Sequence, residues 1–151
     1  MILWRLTRAK HQALDGEGAR VNGGRWNSEG VPVVYLSSSL SLAALEYLVH
    51  IDPADAPTDL AALGIEVPDD VAVEEVTSPS LPGDWFVVPD HPACTGLGDA
   101  WAARGRSLLL RVPSALVRTE SNLLMNPRHP DAARVRMVRS EPFSFDPRLL
   151  S

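Results

Sequence analysis

The sequence predicts an α+β fold in a single compact domain, residues 1–151. Three observations predict it. A chain of 151 residues, 45% of them hydrophobic, is long enough for one real core. Strand-like and helix-like periodicities are mixed along it, without the regular alternation that builds a doubly wound parallel sheet. Thirteen prolines divide the chain into short elements, and no internal repeat or low-complexity segment interrupts them.

The elements follow in order. In "ILWRLT" (2–7), Ile2, Trp4 and Leu6 alternate with Leu3, Arg5 and Thr7, the twofold repeat of a strand. "ALDGEGARVNGG" (13–24) reads as a glycine-rich loop, followed by the short extended piece "RWN". "VPVVYLS" (31–37) reads as a strand with Pro32 at its start or on an edge. Residues 39–50 read as a helix that Ser37, Ser38 or Ser39 can cap, with Leu42, Leu45 and Val49 on one face. Two strands are expected around 61–67 and 71–76, then a loop over 79–94. A short helix is expected over 95–105. "SLLLRVPSALV" (107–117) begins as a buried strand that stops at Pro113. Residues 134–146 form a last strand or hairpin.

Composition narrows the function. The net charge of −5 disfavours non-specific nucleic-acid binding, which rests on neutralising phosphates. Arg128, Arg134, Arg136 and Arg139 make the last third locally basic, read as a solvated strand face. No window approaches the roughly 18 apolar residues of a membrane span. "MILWRLTRAKHQ" meets charge too early for a signal peptide, so residence in the cytoplasm is expected. The single cysteine, Cys94, has no thiol partner, and His91 with Cys94 is too small a set for a metal site, so no metal is expected.

Several residues are candidates for chemistry. Glu46 lies four residues after Leu42 and three before Val49, flanking the apolar stripe; it is either a partnered functional carboxylate or a salt-bridged edge residue. Tyr35 shares a strand face with Val31 and Val33 and ends the strand just before the Glu46 helix. Arg25 follows Gly23 and Gly24, where a ligand can approach the backbone, and its guanidinium suits phosphate. Arg5, mid-strand among apolar residues, calls for an anionic partner. Ser114, Asn122, Asn126 and His129 fall in a polar stretch after Pro113 and suit ligand positioning, although turn chemistry accounts for such residues too. No GK[ST] follows the glycine loop, "GLG" at 96–98 is too short for a dinucleotide fingerprint, and no GxSxG elbow accompanies Ser114.

The order "LWRL … GGRWNSEGVPVVYLSSSLSLAALEYLVH … GLGDAW … LLLRVPSALV … ESNLLMNPRHPDA … FSFDPRL" resembles the RES domain family, from about residue 3 to the end. The combined pattern is specific: "RWN-x-x-G", then tyrosine, then "LE", then "VPS" and "NP-x-HP". The resemblance implies a fold like that of ADP-ribosyltransferases. It implies the toxin of a type II toxin–antitoxin system whose partner is an Xre-type antitoxin with a helix-turn-helix region. It also implies NAD⁺ as a substrate that is consumed, with no cofactor beside it. The family arginines fall on Arg5 and Arg25, the tyrosine on Tyr35, the glutamate on Glu46. The serine falls on Ser114, with Ser107 and Ser121 close enough to compete. On this reading Arg25 and Arg5 clamp the diphosphate, Tyr35 shapes the nicotinamide pocket, and Glu46 stabilises the cation that develops on the ribose. Ser114 and Asn122 complete the substrate-binding set. Three functions are weighed: cleavage of NAD⁺ by water or phosphate, transfer of ADP-ribose to a protein, and a non-catalytic binding module. A homo-oligomer is left open.

Overall fold

The computed structural model describes all of residues 1–151 and is built on one seven-stranded mixed sheet. The strands are β1 (Ile2–Arg8), β2 (Val34–Ser37), β3 (Leu60–Glu66), β4 (Val73–Glu75), β5 (Leu109–Pro113), β6 (Ser121–Met125) and β7 (Arg136–Phe143). The helices are α1 (Glu17–Asn22), α2 (Leu40–Leu48) and α3 (Pro92–Arg104). The strand order is β4-β5-β6-β2-β1-β3-β7; β4 and β5 are parallel and every other pair is antiparallel.

The sheet has a seam. On one side β1 pairs with β3 from Ile2–Glu66 to Arg8–Leu60, and β3 with β7. On the other, β2 pairs with β6 and β6 with β5. The two halves are joined where β1 meets β2, and there only Trp4 and Ser37 stand opposite each other.

Alternation sorts the side chains to two faces. One face carries Leu3, Leu36, Leu63, Ile65, Leu123 and Met125, covered by irregular chain that includes Leu14, Ala132 and Val135. On the other face, Leu110, Val112 and Leu124 pack with Trp26, Trp85 and Trp101 of the α3 side. On that same face Leu6, Leu60 and Ala62 lie beneath Ala44, Tyr47 and Leu48 of α2. Burial of this apolar surface is the main favourable contribution to folding.

Several expectations are corrected. The 13–24 loop contains α1, stabilised by the ion pair between Glu17 and Arg20 one turn apart. The stretch 121–125, read as polar loop, is β6, because Leu123, Leu124 and Met125 are all buried between neighbouring strands. β2 begins only at Val34, after the proline. α3 starts at Pro92, three residues early, because the His91 side chain accepts from the Ala93 N–H and Pro92 sits at the first turn. Residues 136–143 are one strand, not a hairpin. The buried residues of α2 are Leu42 and Ala43; Leu45 is 41% and Val49 55% exposed, so the predicted stripe is rotated from the core. Ser39 is the serine that caps α2, accepting from the Leu42 N–H.

"GLGDAW" has a packing explanation. A Cβ on Gly98 would lie 1.7 Å from the Trp26 carbonyl oxygen, so α3 approaches the "RWN" segment as closely as only glycine permits. Asp99 then accepts from the Ser28 backbone N–H and hydroxyl, fixing the same segment. Trp101 Nε1 donates to Ser107 Oγ. Gly98→Ala forces backbone apart and is expected to destabilise the fold by about 3 kcal/mol; the fall in the urea midpoint measures it, and a midpoint within error of the parent's contradicts this packing.

Candidate functional site

α2 and the ends of β5 and β6 bring three of the predicted residues into direct contact. Ser114 Oγ donates to Glu46 Oε1 at 2.7 Å, and Asn122 Nδ2 donates to the same oxygen at 2.6 Å. Glu46 Oε2 makes no hydrogen bond within the chain. The carboxylate is therefore fixed by one oxygen and free to engage a ligand with the other. Ser114 is 0% exposed, and its oxygen also accepts from the Leu116 and Val117 N–H groups at 3.1 Å each. Two donors into the hydroxyl polarise it and strengthen its own donation to the carboxylate. Pro113 ends β5 immediately before Ser114, so the strand places the serine and the turn after it supplies those donors.

The competing serines lie elsewhere. Ser107 Oγ sits before β5 with Glu74 Oε2 at 2.6 Å and Trp101 Nε1 at 2.9 Å. Ser121 stands opposite Pro113 at the start of β6. Ser114 is the serine that meets Glu46.

Tyr35 is on the same sheet face, two residues before Ser37, a separation of about 7 Å along the strand. Its hydroxyl donates to Asn27 Oδ1 at 2.6 Å and accepts from the Trp26 N–H at 3.1 Å. Asn27 Nδ2 reaches the carbonyls of Ala19, Ser28 and Val31, so this one asparagine ties together the 19–31 segment. A Cβ on Gly24 would fall 2.7 Å from the Tyr35 hydroxyl, which is why a glycine precedes Arg25. Burial pushes the Tyr35 phenol well above its usual range, with the Trp26 N–H partly offsetting it.

Arg25 grips a loop. Its Nη1 donates to the carbonyls of Trp85 at 3.0 Å and Val87 at 3.1 Å, and Nη2 faces Asp90 at 3.4 Å; the side chain is 17% exposed. The Arg118 guanidinium stacks 3.7 Å from the centre of the Phe86 ring, so two arginines hold residues 85–90. Trp26 packs 6.1 Å from Trp85, centre to centre, as support for this arrangement.

Arg5 does not join them. Trp4 stands opposite Ser37 and shares its face, so alternation sends Arg5 to the other face, level with Leu63. There Nη1 donates to the Ala13 carbonyl at 3.0 Å. The expected anionic partner is thus a carbonyl; burial lowers the Arg5 pKa and Asp15 partly offsets this. Asn126 and His129 are likewise structural: Asn126 accepts from the Arg128 N–H and donates to Ala102, and His129 accepts from the Asp131 N–H. Neither Ser37, which donates to Asn122 Oδ1 at 2.7 Å, nor Asn27 stands out in the sequence. The strand register that places Ser37 beside Asn122 was the missing signal. No group of three or more His, Cys, Asp or Glu residues is arranged to hold a metal ion, and no helix is long and apolar enough to cross a membrane.

The family model of the RES domain spans this sheet together with Glu46, Ser114 and Asn122. The family model matches residues 2–146, and the chain belongs to that family. It is 42% identical over 139 residues to the Prs ADP-ribosylating toxin of Sphingobium sp. (strain YBL2), covering 91% of this chain and 86% of that one. It is 40% identical over 154 residues to Toxin Res of Photorhabdus laumondii subsp. laumondii, covering 99% and 97%. Among solved structures it is similar to the M. tuberculosis MbcT–MbcA toxin–antitoxin complex, with a TM-score of 0.79 and 25% identity over 99% of this chain and 86% of that one.

Tyr35 links these contacts to stability. Tyr35→Phe strands the Asn27 oxygen and the Trp26 N–H, at an expected cost of about 1–3 kcal/mol in urea unfolding. The parent protein also loses stability as pH rises above about 10, where the unfolded tyrosine ionises and the folded one does not. Tyr35→Phe reduces that alkaline slope; an unchanged slope shows that the phenol is not held neutral by the fold.

Proposed function

We propose that this protein is the toxin of a toxin–antitoxin pair and acts by breaking the nicotinamide–ribose bond of NAD⁺, which is its substrate. The observation that carries this reading is Glu46, with Oε1 locked by Ser114 and Asn122 and Oε2 unengaged. The relatives named as toxins, one of them as ADP-ribosylating, support it.

The chemistry follows from the groups present. The glycosidic C–N bond breaks with its electron pair leaving on nicotinamide, which departs neutral, so no general acid is required. Positive charge develops on the ribose carbon and ring oxygen. A carboxylate held at one oxygen presents the other at a fixed position to that charge, or to a ribose hydroxyl, with little reorganisation during reaction. Water or phosphate then adds to the ribose carbon through an oxygen, and an adding water gives up one proton to solvent. The Tyr35 ring, half-buried beside the cluster, borders the nicotinamide side. Arg25 takes the diphosphate: a phosphate oxygen replaces Asp90 at Nη2 while the two carbonyls keep Nη1 in place. Arg5, on the opposite face, has no part in this arrangement.

The relative named as an ADP-ribosylating toxin favours a second reading, in which a protein side chain accepts the ADP-ribose. The solved toxin–antitoxin complex supports an antitoxin as protein partner; the proposed partner is an Xre-type antitoxin that silences the site by inserting a segment into it. The cytoplasm, where NAD⁺ is available, is the proposed place of action.

Glu46→Gln keeps the size and loses the charge; nicotinamide release from NAD⁺ is expected to fall by a hundredfold or more, about 3 kcal/mol at the transition state, with native circular dichroism. Equal rates from parent and variant remove Glu46 from the reaction. Labelled NAD⁺ given with lysate separates the acceptors: small labelled products, with or without a phosphate requirement, mark cleavage, whereas a labelled protein band marks transfer. Intact NAD⁺ in every arm favours a binding module. Asp90→Ala removes the internal competitor for Arg25 and is expected to lower KM severalfold; a raised KM shows instead that Asp90 holds Arg25 in its working position.

A further inference from the structure

Glu46 is held by Asn122, and Asn122 is held by a residue outside the predicted site. An asparagine amide can point either way round, and its two ends have opposite hydrogen-bonding character. The Glu46 carboxylate accepts only, so Asn122 must turn Nδ2 toward it, at 2.6 Å. Oδ1 then faces Ser37 Oγ at 2.7 Å, and the hydroxyl must donate. Ser37 is buried and stands directly opposite Asn122 in the β2–β6 ladder, so the backbone itself sets this contact. Ser37 is also the residue that pairs with Trp4, where the two halves of the sheet join.

We propose that Ser37 is a positioning residue of this site: its hydroxyl locks the Asn122 amide in the one orientation that presents a donor to Glu46. The chain of contacts runs Ser37 to Asn122 to Glu46, with Ser114 completing the hold on Oε1. Removing the hydroxyl leaves the Asn122 oxygen without its donor in a half-buried position. The amide then turns or tilts toward another partner, and the carboxylate loses one of its two restraints. Ser114 cannot compensate, since its single proton is already committed to the same oxygen.

The catalytic consequence rests on the proposed NAD⁺ reaction, but the positioning does not, and the experiment separates them. The Asn122 side-chain amide is observed by ¹⁵N NMR without substrate, identified by its loss in Asn122→Asp. The parent is expected to show one slowly exchanging side-chain amide proton, the one donated to Glu46. Ser37→Ala is expected to accelerate its exchange at least tenfold, and Ser37→Thr, which retains the hydroxyl, to restore the parent's rate. Unchanged exchange in a folded Ser37→Ala protein overturns the proposal. Nicotinamide release is then measured in the parent, Ser37→Ala, Asn122→Ala and the double variant. Ser37→Ala is expected to lower kcat about tenfold with KM nearly unchanged, and to cost nothing further once Asn122 is alanine. Independent, additive losses overturn the route through Asn122. No release from the parent, with the amide still freed by Ser37→Ala, overturns the proposed reaction and leaves the positioning role standing.

Discussion

The structure depends on how a carboxylate is held at the edge of a core. Glu46 lies on a helix whose buried side is Leu42 and Ala43, and its side chain turns toward the ends of two strands. A partly desolvated carboxylate needs donors. Here the donors are neutral, a hydroxyl and an amide, and both reach the same oxygen. An arginine or lysine in their place would neutralise the charge; the neutral pair orients it and leaves it available. This explains why the site contains no ion pair with Glu46 even though the chain has fourteen Lys and Arg residues.

The sheet makes that hold possible. Ser37, Asn122 and Ser114 lie at neighbouring positions on β2, on β6 and just past β5, so strand pairing alone brings their side chains to one face. α2 begins three residues after Ser37, capped by Ser39, and its length carries Glu46 back over those strands. The second anchoring group, Tyr35 with Asn27 and Gly24, shapes the segment that bears Arg25. Arg25 in turn gathers residues 85–90 through two carbonyls. A loop with few regular contacts is thereby fixed by side chains rooted in the sheet.

Much of this was legible in the sequence. Glu46, Tyr35, Arg25, Ser114 and Asn122 stand out by residue pattern together with the resemblance to the RES domain, and the fold brings Glu46, Ser114 and Asn122 into contact. The α+β class and most strands followed from alternation. What failed was information that resides in tertiary pairing. Arg5 was grouped with Arg25 by residue type, but the β1–β2 register sends it through the sheet to Ala13. β6 was missed because Ser121 and Asn122 look like loop, whereas the three residues after them decide the matter by being buried. The α2 stripe was rotated because Leu45 and Val49 fit a helical period as well as the truly buried pair does. Ser37 was seen only as a capping residue, since nothing local marks it as the neighbour of an asparagine 85 positions later.

That separation has a consequence in time. Glu46 is complete as a chemical group once the first third of the chain exists, but its partners are residues 114 and 122. During N- to C-terminal synthesis no shorter chain contains the clamp. The β1–β3 half of the sheet can pair early, whereas β5 and β6 arrive after residue 108, and β2 has no neighbour but β1 until then. The geometry therefore forms only once residue 122 has been made, and a product truncated before it carries the glutamate without the means to aim it.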